Sequence, residues 1–153
     1  METAPRKVLL IDSEMLIHLA VSQAYRDSGP YFITASKANE ALKKMDIFSF
    51  DLFLLALDLK DADSLQLLSI IDQRFPDTPV ILMSNSGSEY SALLKRIEKT
   101  RQPGTWQLIE KPFKLDILTI LIERCLYERV PSQDEHQINR NQEYEQRGYL
   151  RQS

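Results

Sequence analysis

Five short apolar runs, at Val8–Ile11, Tyr31–Thr34, Leu52–Leu57, Val80–Met83 and Trp106–Ile109, alternate along the chain with stretches of helical periodicity. Their length and β-branched or aromatic content predict strands, and the intervening segments predict helices. The first helix spans about Glu14 to Arg26, and the second spans Lys37 to Met45 with Ser36 as N-cap. Asp63 or Ser64 caps a third, whose Leu67, Leu68, Ile71 and Phe75 share one face and which Pro76 stops. Tyr90, Leu93, Leu94 and Ile97 mark a charged amphipathic helix ending near Thr100, followed by a turn at Gln102–Thr105. Leu115, Leu118, Ile122, Cys125 and Leu126 give the last helix its apolar face.

The first, third and fourth strand runs are apolar at nearly every position rather than at alternate ones. Strands of that kind are covered on both faces, as in parallel sheets flanked by helices. Five βα units with right-handed crossovers predict an α/β, flavodoxin-like, doubly wound five-stranded parallel sheet of order 2-1-3-4-5, with helices on both faces. In such sheets ligands sit at the carboxyl ends of the strands, beside the reversal between strands 1 and 3. The residues expected there are Asp12, Ser13 and Glu14, then Ala56 to Asp58, Ser84 and Asn85, and Glu110 to Pro112.

Composition narrows the picture by exclusion. The 153 residues are 43% hydrophobic and 27% charged, with a formal net charge of −3 and no Lys/Arg cluster, so no nucleic-acid partner is expected. No run is long enough to span a membrane, and the segment before Val8 lacks the apolar stretch of a signal peptide. Cys125 is the only cysteine, which leaves neither a disulfide framework nor a cysteine metal site. A cytoplasmic location is the corresponding expectation. His18 stands without a nearby His/Cys set and reads as a helix-surface histidine, and Cys125 reads as a small core residue. Residues 1–130 form the expected domain. Residues 131–153 are polar, and a disordered tail and a helical extension opened by Ser132–Glu135 both remain open.

The segments VLLID (Val8–Asp12), DLFLL (Asp51–Leu55), DADSLQLL (Asp61–Leu68), PVILMS (Pro79–Ser84) and EKPF (Glu110–Phe113), in this order and spacing, resemble the receiver domain of bacterial response regulators. The resemblance covers roughly Lys7 to Tyr127. It implies a module that takes a phosphoryl group from a histidine kinase onto an aspartate ending strand 3. In that family an acidic pair after strand 1 holds Mg²⁺, a Ser/Thr ends strand 4 and a Lys precedes a proline after strand 5. The carboxylate is the nucleophile, the hard cation takes oxygen ligands, and the Lys and hydroxyl bind phosphoryl oxygens.

Carried over residue by residue, Asp12, Ser84 and Lys111–Pro112 match the pattern, but Ser13 replaces the second acid and Ala56 occupies the acceptor position. Lys60 and Ser64 stand where the next loop usually has proline and glycine, and Leu108 stands at the aromatic position before the lysine. Trp106 lies two residues earlier on the same strand face, so it is no direct substitute. The chain is also longer than the family pattern at about Arg101–Thr105.

Ala56 has no nucleophilic atom, so no catalytic residue is assigned. Asp58, of the same parity but about 6.6 Å further along the strand, is the alternative acceptor. No cofactor is expected beyond weak Mg²⁺ at Asp12, and Lys111 is expected to pair with Asp12 or Asp58. The expectation is a non-enzymatic, stand-alone pseudo-receiver, since the residues after 130 are too few for a DNA-binding output domain. It would act by protein–protein contact with a histidine kinase or an output protein, or as a homodimer. The expected interaction face carries Leu108, Ile117, Ile120 and Leu121. The alternatives are a phosphoacceptor receiver using Asp58 and a small-molecule module on the same fold. The second is disfavoured because the first loop is acidic and lacks a glycine-rich phosphate cradle.

Overall fold

The computed structural model describes residues 5–59, 64–85 and 90–128. The order of elements is β1 (Lys7–Ile11), α1 (Met15–Ala24), β2 (Tyr31–Ala35), α2 (Ala38–Ile47), β3 (Leu52–Ala56), α3 (Ser64–Arg74), β4 (Val80–Asn85), α4 (Tyr90–Thr100), β5 (Trp106–Lys111) and α5 (Leu115–Tyr127). The strands form one parallel sheet of order β2-β1-β3-β4-β5, as the run pattern predicts.

The burial of each strand follows its sequence. Every residue of β3 is buried, and only Lys7 of β1 and Asn85 of β4 are not. The edge strand β2 is covered less completely, with Ile33 and Ala35 buried, Phe32 half-buried, and Tyr31 and Thr34 exposed. Phe53 anchors the centre, within 5.6 Å of the Phe50 ring and 5.2 Å of the Phe75 ring between centroids.

Several local expectations shift. Helix α1 is shorter at both ends than the periodicity suggests. Lys37 is the N-cap of α2 and makes no side-chain cap. Ser36 instead donates its backbone N–H and its hydroxyl to the Glu40 carboxylate, so the first turn is closed from the helix side. The stop of α3 and the Gln102–Thr105 turn hold, with Gly104 at φ 87 and Thr105 N–H donating to the Gln102 carbonyl. Cys125 lies at the edge of the core rather than within it. The Asp63 cap, Lys60 and the 131–153 segment lie outside the described residues.

Two expected features of the interaction face are corrected. Leu108 and Leu121 are buried in the core. Leu108 sits on the edge strand β5, paired with Leu82 of β4 and packed into the core, and Leu121 lies on the same inward stripe of α5 as Leu118 and Ile122. Of the four residues only Ile120 is well exposed, with Ile117 half-buried. His18 is likewise buried rather than on the helix surface. It falls three residues before Val21, on the face that α1 turns to the sheet.

Candidate functional site

The register of the sheet gathers the candidate residues at its carboxyl end. Ile11 pairs with both Ala35 and Leu55, Ala56 pairs with Met83, and Asn85 pairs with Lys111. Asp12, one residue past β1, is fixed by its backbone N–H, which donates to the Ala35 carbonyl at 3.0 Å. Its carbonyl accepts from His18 Nε2 at 2.6 Å. A carbonyl only accepts, so Nε2 carries the hydrogen. The buried histidine thus serves as a support that holds the Asp12 loop against α1.

The Asp12 carboxylate is divided between two donors. Oδ1 accepts the Glu14 backbone N–H at 2.9 Å, which shapes the turn into α1, and Oδ2 accepts Lys111 Nζ at 2.9 Å. Lys111 reaches inward from the end of β5, just before a cis Lys111–Pro112 bond. Its ammonium also lies 3.4 Å from Glu14 Oε1 and 3.5 Å from Asp58 Oδ1. Burial pulls this lysine's pKa down. The hydrogen bond and charge of Asp12, with the charges of Asp58 and Glu14, outweigh that and hold it above its ordinary value. The expected pairing of Lys111 with Asp12 or Asp58 is met by both.

Asp58 reaches the cluster because the chain turns immediately after β3, a bend that strand spacing does not convey. Its Oδ2 accepts Asn85 Nδ2 at 2.9 Å, and its side chain remains 31% exposed at the mouth. Ala56 forms the floor as a fully buried methyl group. The carbonyl of Ala56 accepts the Ser64 hydroxyl at 2.8 Å, which ties the end of β3 to the start of α3. Neither remaining serine directs its hydroxyl at the ammonium. Ser84 Oγ donates to the Asn85 carbonyl at 2.9 Å, and Ser13 Oγ donates to the Ser36 carbonyl at 3.1 Å.

Composition and spacing gave no sign of a second buried cation at the opposite end of the sheet. Arg101, directly after α4, is buried with Nε 2.7 Å from Asp72 Oδ1. Its Nη1 donates to the Thr105 carbonyl at 2.9 Å, and its Nη2 donates to the Thr78 carbonyl at 3.0 Å and, more weakly, to those of Phe75 at 3.4 Å and Pro76 at 3.5 Å. The stretch beginning at Arg101, which looks like extra length in the sequence, therefore carries a structural staple. A lone arginine in a polar stretch gives no warning of this, because four of its partners are backbone carbonyls.

A doubly wound parallel sheet with acid, hydroxyl and lysine positions converging between β1, β3, β4 and β5 defines a receiver-type module. The family model for the response regulator receiver domain matches residues 8–123, and the chain belongs to that family. The chain is 30% identical over 129 residues to the response regulator protein FleR of Pseudomonas aeruginosa, covering 84% of this chain and 26% of FleR. It is 32% identical over 123 residues to the nitrogen assimilation regulatory protein NtrX of Azorhizobium caulinodans, covering 78% of this chain and 26% of NtrX. The chain thus spans about a quarter of the length of these relatives. Among solved structures it is similar to the receiver domain of NtrX from Brucella abortus, at TM-score 0.68 and 30% identity, covering 80% of this chain and 99% of that one. Among the described residues no helix is long and apolar enough to cross a membrane.

Proposed function

We propose that this receiver domain takes part in two-component signalling by protein–protein contact, without an aspartyl phosphate at the end of β3. The observation that carries the reading is Ala56, a buried methyl at the acceptor position between Asp12 and Lys111. Phosphoryl transfer needs a nucleophilic oxygen there, and no rotamer of alanine supplies one. The partners on this reading are a histidine kinase or an output protein, in a cytoplasmic setting, with no nucleic-acid contact.

The donor set also fits poorly the Mg²⁺ that the family implies. Mg²⁺ demands near-octahedral oxygen ligation at about 2.0–2.1 Å. Here both Asp12 oxygens are engaged, Ser13 turns to Ser36, and Ala56 offers nothing. The Lys111 ammonium occupies the point on which Asp12, Glu14 and Asp58 converge. It supplies the local positive charge and holds the pocket in one arrangement.

A second reading uses Asp58 as the acceptor, favoured by its 31% exposure and its 3.5 Å approach to Lys111. Incubating the full chain with acetyl phosphate and Mg²⁺, followed by intact-mass measurement, separates the two. The expected result is an unmodified chain. A stoichiometric adduct that disappears in Asp58→Asn overturns the first reading in favour of the second.

A further inference from the structure

A groove of about 570 Å³ runs along the outer side of α5, between that helix and the end of α1. Ala24, Leu115 and Ile120 give it an apolar bed, and Ile120 is 53% exposed. Tyr25 spans from α1 to α5, its hydroxyl donating to the Thr119 carbonyl at 3.5 Å. Asp116 and Glu123 border Ile120 along one exposed stripe of α5, four residues before it and three after. Arg124 is turned to Glu128, 3.5 Å away. Among the described residues neither Asp116 nor Glu123 has a basic side chain within salt-bridge distance. The groove thus offers an apolar centre between two carboxylates, about 10 Å apart along the helix axis.

We propose that the occupant of this groove is the chain's own segment 146–152, which follows α5 in sequence and closes back on it. That segment reads Gln-Arg-Gly-Tyr-Leu-Arg-Gln and carries two arginines and no acid. Arg147 and Arg151 bracket Tyr149 and Leu150 as Asp116 and Glu123 bracket Thr119 and Ile120. Four residues of extended chain span about 13 Å, close to the roughly 10 Å between the two carboxylates. Both ion pairs can therefore form while Tyr149 and Leu150 cover the apolar centre. In residues 129–145 the acids Asp134, Glu135, Glu143 and Glu145 outnumber Arg129 and Arg140, so charge selects 146–152 over the rest.

The tether favours this occupant over a separate molecule. Glu128 itself lines the groove, so the segment sets out from the site it is to reach. Residues 129–146 span up to about 60 Å when extended, whereas the 13 residues of α5 are about 20 Å long. A short tether holds a binding segment at an effective concentration in the millimolar range. Contacts too weak to recruit a free partner then suffice, and two exposed ion pairs around an apolar pair are contacts of that kind. The docked segment covers Ile120 and withholds this face from other proteins. The contact does not depend on whether Asp58 ever accepts a phosphoryl group.

Paramagnetic broadening in the full chain tests the contact, with a nitroxide on Ser153→Cys in a Cys125→Ser background. The amide signals of Thr119, Ile120 and Glu123 should broaden and those of α3 should not, to an extent independent of dilution. Arg147→Glu with Arg151→Glu should lower the ratio of docked to free segment at least about fivefold, with an unchanged circular dichroism spectrum. A loss in the same direction is expected from the other side of the contact, with Asp116→Asn and Glu123→Gln. Signals at α5 that stay sharp leave the groove to a separate partner, and broadening that fades on dilution assigns it to a second copy. Either result, or broadening indifferent to both pairs of substitutions, overturns the proposal.

Discussion

Two buried cations sit at opposite ends of the same sheet, and they are held in different ways. Lys111, at the carboxyl end, faces three carboxylates, of which Glu14 and Asp58 reach solvent. Arg101, at the amino end, faces one carboxylate and a ring of backbone carbonyls from the loops that lead into β4 and β5. A compact ammonium suits a cluster of charges, whereas a planar guanidinium with five donors can gather loops that have no other donor to satisfy them. The arginine end is therefore structural, and the lysine end is a charge balance left in a pocket whose floor is a methyl group. Burial pulls the Arg101 pKa below its ordinary value and Asp72 opposes this, while burial also raises Asp72. The carbonyl bonds, more than the ion pair, make this staple worth keeping.

That contrast can be broken most forcefully at the arginine. Replacing Arg101 with Met strands Asp72 and several buried carbonyls, and the expected loss is about 3–5 kcal/mol in urea unfolding. A loss under 1 kcal/mol would mean that the carbonyls find water and the staple is dispensable. Replacing Lys111 with Met leaves Asp12 buried but still holding the Glu14 N–H, and a smaller loss of about 2 kcal/mol is expected. If binding of a signalling partner also survives unchanged, the cluster has no role in holding the pocket.

The pH dependence sharpens the same point. Lys111 has a folded-state pKa raised above the ordinary 10.5. Its contribution is therefore fully present below that value and is lost as pH rises through the higher folded value. The stability gap between the parent chain and Lys111→Met should stay level from neutral pH to about pH 10 and close above it. A gap that closes near neutrality contradicts the assignment. The smallest effect belongs to Glu14, whose side chain is 48% exposed. Glu14→Gln should change stability by no more than about 0.5 kcal/mol and should lose even that in high salt.

The sheet is fully legible in the sequence because uninterrupted apolar runs at β1, β3 and β4 leave few alternatives to a doubly covered parallel sheet. The pocket is legible from the same frame, since strand order alone brings Asp12, Ala56, Ser84 and Lys111 to one end. What stays hidden depends on directions and on distant partners. His18 looks like a surface histidine until the phase of α1 is known, and Asp58 looks too far along until the turn after β3 is seen. Leu108 and Leu121 read as interface residues because apolar width on a strand or helix does not reveal which part is covered. Arg101 is hidden most completely, since backbone carbonyls have no signature in side-chain patterns.

The methyl group of Ala56 has a consequence measured in time. An acyl phosphate decays, so a receiver that carries one holds a mark with a lifetime and forgets its signal at a definite rate. A methyl group keeps no such clock. On the reading proposed here, the state of the domain follows how many copies are present and what they are bound to, and its response is set by synthesis, degradation and partner exchange.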